Sequence, residues 1–230
     1  MNFLTPMEID AISLSLRVSF VAVVVSLPLG ILVAWALARL SFPGKTILDA
    51  IVHLPLVLPP VVVGYLLLVA FGRRGVLGQF LADTLDVSIA FSWEGAAVAG
   101  AVMAFPLMVR AIRLSLESVD MGLEQAARTL GATPWRVFFT ITLPLAGPGL
   151  LTGCLLAFAR SLGEFGATIS FVSNIPGETQ TMPLALYSLI NTPGGEDGAL
   201  RLVIAAVILS FLALFTSELT ARRLSRRLNA

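Results

Sequence analysis

Leu123-Glu124-Gln125-Ala126-Ala127-Arg128-Thr129-Leu130-Gly131-Ala132-Thr133-Pro134-Trp135-Arg136-Val137-Phe138-Phe139-Thr140-Ile141-Thr142-Leu143-Pro144 leads into a long apolar run and carries its own local grammar. Gln125 to Leu130 are good helix formers. Gly131 can stop that helix in a left-handed cap, and Thr133-Pro134 supplies an N-cap and a first-turn proline for the next. The stretch therefore predicts a short helix, a tight turn and a second helix entering the apolar run. Ala126 and Ala127 give the short helix a small-residue face, with Glu124, Arg128 and Arg136 around it for polar contacts. Two readings stay open on these residues alone: a docking surface for another protein, or a helix lying on lipid headgroups.

Working outward, the charges mark apolar spans, because a helix needs roughly 17 to 25 mostly apolar residues to cross a bilayer core. Uncharged runs of 21 residues (18–38), 23 (50–72), 15 (95–109), 23 (137–159) and 16 (202–217) predict five crossings. With their flanks these cover about 14–39, 49–71, 91–112, 137–163 and 199–220, leaving a loop at 113–136. The short third run needs Trp93 and a snorkelling Arg110 as interfacial flanks. A cleaved-leader reading of the first span fails, since Glu8 and Asp10 precede it with no Lys or Arg ahead of Arg17.

Composition agrees. The 230 residues are 57% hydrophobic and 13% charged, with mean hydropathy +0.92, too apolar for one soluble core. Fifteen Lys plus Arg against fourteen Asp plus Glu give no basic field for nucleic acid. A single cysteine, Cys154, and a single histidine, His53, leave no disulfide framework and no His-rich metal site. Cys154 reads as a small mid-span filler and His53 as a packed interfacial residue. No phosphate-cradling Gly-x-x-x-x-Gly-Lys-Ser/Thr occurs, nor any hydrolase signature, so no catalytic residue is expected.

Positive residues are retained on the cytoplasmic side. An inside C-terminus gives that side Arg39, Lys45, Arg110, Arg113, Arg128, Arg136, Arg222, Arg223, Arg226 and Arg227, against Arg17, Arg73, Arg74, Arg160 and Arg201 outside. The two-to-one ratio predicts an outside N-terminus, an inside loop 113–136 and an outer segment from about 160 to 201. In that segment Met182 to Ile190 reads as a short amphipathic helix.

The loop resembles the coupling loop of bacterial ABC importer permeases, whose pattern is Glu-Ala-Ala, three residues, Gly, nine residues, Ile, one residue, Leu-Pro. Here the spacing is kept without a gap by Gln125-Ala126-Ala127, Gly131, Ile141 and Leu143-Pro144. Gln125 stands where the pattern has Glu, with Glu124 one residue earlier, which leaves open which polar side chain makes the main cross-subunit contact. The resemblance implies an all-α, type I ABC importer permease fold in the bacterial inner membrane. It also implies a coupling helix docked on a cytoplasmic ATPase that holds ATP and Mg, while this chain holds no cofactor or metal.

The fourth span ends in Arg160-Ser161-Leu162-Gly163-Glu164-Phe165-Gly166-Ala167, with Arg160 and Glu164 placed four apart to neutralise one another. These residues can let a helix bend and end, or can form a mobile constriction at Gly163, Glu164, Phe165 and Gly166; both can hold. Pro55, Pro59 and Pro60 in the second span predict a kink that lines the pathway. Arg73 and Arg74 are outer-rim candidates for drawing in an anion or contacting a partner, or are ordinary rim charges. Residues 161–167 and 173–177 resemble the permeases for tetrahedral oxyanions. Residues 42–45, 53–65, 72–75 and 191–196 resemble the molybdate branch of that family. That likeness implies molybdate, with tungstate second, delivered by a periplasmic binding protein to two copies of this chain carrying two ATPase subunits. A sulfate or thiosulfate permease, a proton-coupled carrier using Glu164 and a membrane-bound enzyme are the competing readings.

Overall fold

The computed structural model describes residues 4–228 and is helical, with no strand among them. Helix α1 (Pro6–Arg39) opens on a capping box, in which Thr5 and Glu8 each bond the other's backbone, with Pro6 in the first turn. Its 34 residues span about 51 Å, well beyond a bilayer core. Ala11, Ser15, Ser19, Ala22, Ser26, Gly30 and Ala34 recur every three or four residues and are buried, a small-residue stripe that lets backbones approach in lipid. Against it lies α5 (Trp93–Ser118), itself faced with Ala96, Ala97, Gly100 and Ala104, and α9 (Gly147–Leu162) packs against both. A Cβ on Gly100 would meet Ser161 Oγ of α9, so a larger residue at this crossing forces the serine hydroxyl to turn aside.

Where the sequence suggests one kinked helix over 49–71, the structure has two, α2 (Lys45–Val57) and α3 (Pro60–Phe71), bent by 115°. The cause is the double proline. Leu58 and Pro59 each precede a proline and are pushed to extended ψ of 142° and 133°, and Pro60 then restarts the helix at its first turn. Pro55, by contrast, sits inside α2 without breaking it. The stretch 137–163 is likewise interrupted. The short α7 (Pro134–Val137) runs into a π-helical turn at Phe138–Thr142, then the three-residue α8 (Leu143–Leu145), before a 67° bend into α9.

The expected loop 113–136 begins late, because α5 continues to Ser118. Ile112, Leu116 and Val119 are buried and extend its inner face, while Arg110, Arg113 and Glu117 share the opposite face. Charge therefore marks a face here and not an end. Beyond α3 a further helix, α4 (Val76–Leu85), precedes α5. The coupling-loop segment holds α6 (Met121–Thr129), and after α9 the chain adds α10 (Gly166–Val172), α11 (Met182–Ile190) and α12 (Glu196–Leu228). Helix α11 has the bounds expected from sequence, but Met182, Leu184 and Ala185 are buried, so it packs on α1 and α12 as part of the body. An ion pair between Glu8 and Arg201 (2.7 Å) ties α1 to α12. The side chains of Arg222, Arg223, Arg226 and Arg227 lie outside the described residues.

Helices α3 and α10 meet at Gly64, where an added Cβ would overlap the Ala167 carbonyl and come within 2.8 Å of Ser170 Cβ. Gly64→Val is expected to cost about 1–3 kcal/mol by overpacking, read as a lower midpoint of thermal aggregation of the detergent-solubilised chain. An unchanged midpoint would mean that α3 slides freely on α10.

Candidate functional site

Asp120 caps α6, its side chain accepting from Gly122 N at 2.8 Å. At the other end Gly131 adopts φ +85°. Gly131 N donates to Arg128 O (3.0 Å) and Ala132 N to Ala127 O (3.1 Å), the paired bonds of a Schellman turn. Thr133 caps the next helix and Pro134 fills its first turn. These are the stop and restart expected from the sequence.

Helix α6 buries no residue fully. Gln125, Ala126, Arg128 and Gly131 are exposed, together with the large apolar groups of Leu130 (88%) and Trp135 (70%). Ala127 and Glu124 are half-buried and face the body. Glu124 Oε1 accepts from Arg39 Nη2, at the end of α1, and from Thr142 Oγ1, in the π turn, both at 2.9 Å. The same guanidinium nitrogen donates to Val119 O at the end of α5 (3.2 Å). One carboxylate thus pins α6 to α1 and the π turn directly and to the end of α5 through Arg39, and its side chain is only 13% exposed. Glu124 and Gln125 accordingly divide the polar work: the first holds α6 to its own chain, and the second faces outward. Ile141 and Leu143 are half-buried, and Pro144 is exposed. Arg39 and Thr142 were not legible as site residues. The signal available was a lone arginine closing an uncharged run of 21 residues, with a lone carboxylate opening the loop helix.

The second candidate region lies at the break between α9 and α10. Arg160 and Glu164 form the expected ion pair, with Glu164 only 2% exposed, and Glu164 Oε1 also accepts from Ala167 N at 2.8 Å. Gly163 sits at φ −91°, where any residue fits, so its backbone needs no glycine. Gly166 is more constrained, since a Cβ there would lie 2.8 Å from Pro60 Cβ. The α2–α3 break therefore touches the α9–α10 break through Pro60 and Gly166, and the Phe165 ring lies tilted 5.2 Å from Tyr187 of α11. Arg73 and Arg74 are exposed in the turn between α3 and α4, remote in sequence from that contact, with no ion pair among the described residues. No group of three potential metal ligands occurs among the described residues.

Comparison with known proteins gives the same architecture. The chain superposes with TM-score 0.76 on a bacterial ABC transporter involved in import of the acidic polysaccharide alginate, covering 96% of this chain and 81% of that one at 19% identity. An inward-facing methionine ABC transporter gives 0.68, covering 94% of both chains, also at 19% identity. In sequence the chain is 65% identical over 219 residues to the molybdenum transport system permease protein of Escherichia coli (strain K12), covering 95% of this chain and 96% of the relative. It is 38% identical over 224 residues to the sulfate transport system permease protein of the same organism, covering 96% of this chain and 79% of that one. Residues 26–230 match the model of the binding-protein-dependent transport system inner membrane component, and the chain belongs to that family of transport permeases.

Proposed function

We propose that this chain is the membrane subunit of an ABC importer for molybdate, with tungstate as a second solute. It works as two copies related by an axis along the membrane normal, with the N-terminus periplasmic and the C-terminus cytoplasmic. The observation that carries the reading is the loop of 124–144. Its gap-free spacing builds an exposed helix anchored by one half-buried carboxylate, a shape suited to being pushed by a partner. A helix resting on headgroups would need no such anchor. Two cytoplasmic ATPase subunits hold ATP and Mg and dock on Gln125, Ala126 and Gly131 of each copy. ATP binding draws the two α6 helices together, and Glu124 passes that motion to α1, α5 and the π turn. The contact between Pro59-Pro60 and Gly163 to Gly166 is the element that opens and closes. A periplasmic binding protein supplies the solute. The preference for molybdate over sulfate rests on identity, 65% against 38%.

The test is ATP hydrolysis by the reconstituted complex with binding protein and either molybdate or sulfate. Molybdate is expected to stimulate and sulfate not. Gly131→Asp should remove the stimulation, because Gly131 has open space around it but presents φ +85° on the exposed docking face, where a carboxylate adds charge and strain together. Better stimulation by sulfate would overturn the solute assignment; solute entry without any ATPase would overturn the ABC mechanism.

A further inference from the structure

A polar cavity of about 470 Å³ opens between the first three turns of α1 and the segment joining α10 to α11. Its lining includes Asp10, Ser13 and Arg17 of α1, which share one helix face by their spacing, and Pro176, Gly177 and Gln180 opposite. The far wall is preformed. Ile175 O accepts from the backbones of Glu178, Thr179 and Gln180 (2.9–3.1 Å), Thr179 Oγ1 accepts from Ile175 N (3.0 Å), and Gln180 Nε2 donates to Asn174 Oδ1 (2.9 Å). Asn174 Nδ2 donates in turn to Ser188 Oγ (2.8 Å), and Met182 N donates to Ser15 Oγ (2.6 Å), which fastens the segment to α1. Ser173 enters the segment at φ +68°, ψ −160°, a region nearly reserved for glycine. Such strain persists where surrounding structure fixes a shape.

The charges of this cavity are unequal in their freedom. Arg17 lies over Trp93, its guanidinium carbon 3.8 Å from the ring centroid. Asp10 is exposed and makes no ion pair among the described residues. The rim therefore offers one unengaged carboxylate above a rigid polar wall. Arg17 keeps its charge but is held over the ring, so the carboxylate without a partner suits a cation better than a dianionic solute, and an acyl chain meets a mostly polar lining.

The geometry points to this cavity as the socket for a lysine or arginine side chain of the solute-loaded binding protein, a role that rests on the importer reading above. The basic side chain sits at Asp10 and its stem lies along Ser13 and Pro176-Gly177. Two variants of exposed residues test it, Ser13→Trp to fill the socket and Asp10→Lys to reverse its charge. ATP hydrolysis by the reconstituted complex is measured against rising concentration of loaded binding protein. Both variants are expected to raise the half-saturating concentration about tenfold, leaving the rate without binding protein and the maximal rate unchanged. An unchanged half-saturating concentration in both overturns the socket. So does separation of the two copies by Ser13→Trp, which would assign the cavity to the second copy. If the unaltered complex hydrolyses ATP but never responds to binding protein, the importer reading itself falls, and the socket with it.

Discussion

A complex carrying Glu124→Gln is expected to keep its ATPase subunits and its basal hydrolysis, and to lose stimulation by loaded binding protein about tenfold. The substitution preserves size and leaves the exposed face of α6 untouched, so docking survives. What it removes is the charge that holds Arg39, whose side chain is only 12% exposed and whose Nε is already buried without a partner. Truncating one side of such a pair costs about 2–5 kcal/mol, mostly because the other charge is left stranded. Helix α6 is then free to move without carrying α1 and the π turn, and a link weakened by even 1.4 kcal/mol loses about tenfold in the populations it biases. Thr142→Val should have a smaller effect of the same kind, since it takes away a neutral donor and no charge. Co-purification of the ATPase with each variant, measured beside its stimulated rate, separates transmission from docking. Loss of the ATPase from Glu124→Gln would place that carboxylate in the intersubunit contact and sink the anchor.

The parts legible in the sequence are those set by neighbours along the chain. Gly131 with Thr133-Pro134, the Arg160 and Glu164 pair and the bounds of α11 all follow from residues within a turn or two. What escaped depends on distance or on direction. The partner of Glu124 is 85 residues away, and no local pattern names it. An uncharged run conceals a 115° turn, because hydropathy measures transfer from water and is blind to where the backbone points. The prolines carried that information, yet Pro55 and Pro59 look alike until the consecutive Pro60 is seen to push Pro59 itself into an extended conformation. Arg110 shows the converse, a charge that closes an uncharged run while the helix itself continues to Ser118 with its polar face outward.

Glu164→Ala is expected to be the most damaging single change in the C-terminal half, with most of the chain failing to accumulate in the membrane. It strands Arg160 beside a mostly buried site and removes the acceptor for Ala167 N at the start of α10. Breaking one side of a buried pair costs about 3–5 kcal/mol, a large share of a typical folding free energy. The combination Arg160→Met with Glu164→Gln should recover much of the loss, because it removes both charges and keeps an oxygen for the Ala167 amide. Recovery is read from membrane yield and thermal midpoint, and it carries a functional consequence. A proton carrier built on Glu164 would be dead in that double variant. An importer that uses the pair to hold the α9–α10 break against Pro60 would still take up solute at the expense of ATP. Uptake by the double variant, insensitive to a collapsed proton gradient, therefore assigns Glu164 to the architecture of the gate. Failure of uptake in a chain that folds and assembles would return the charge itself to the transport cycle.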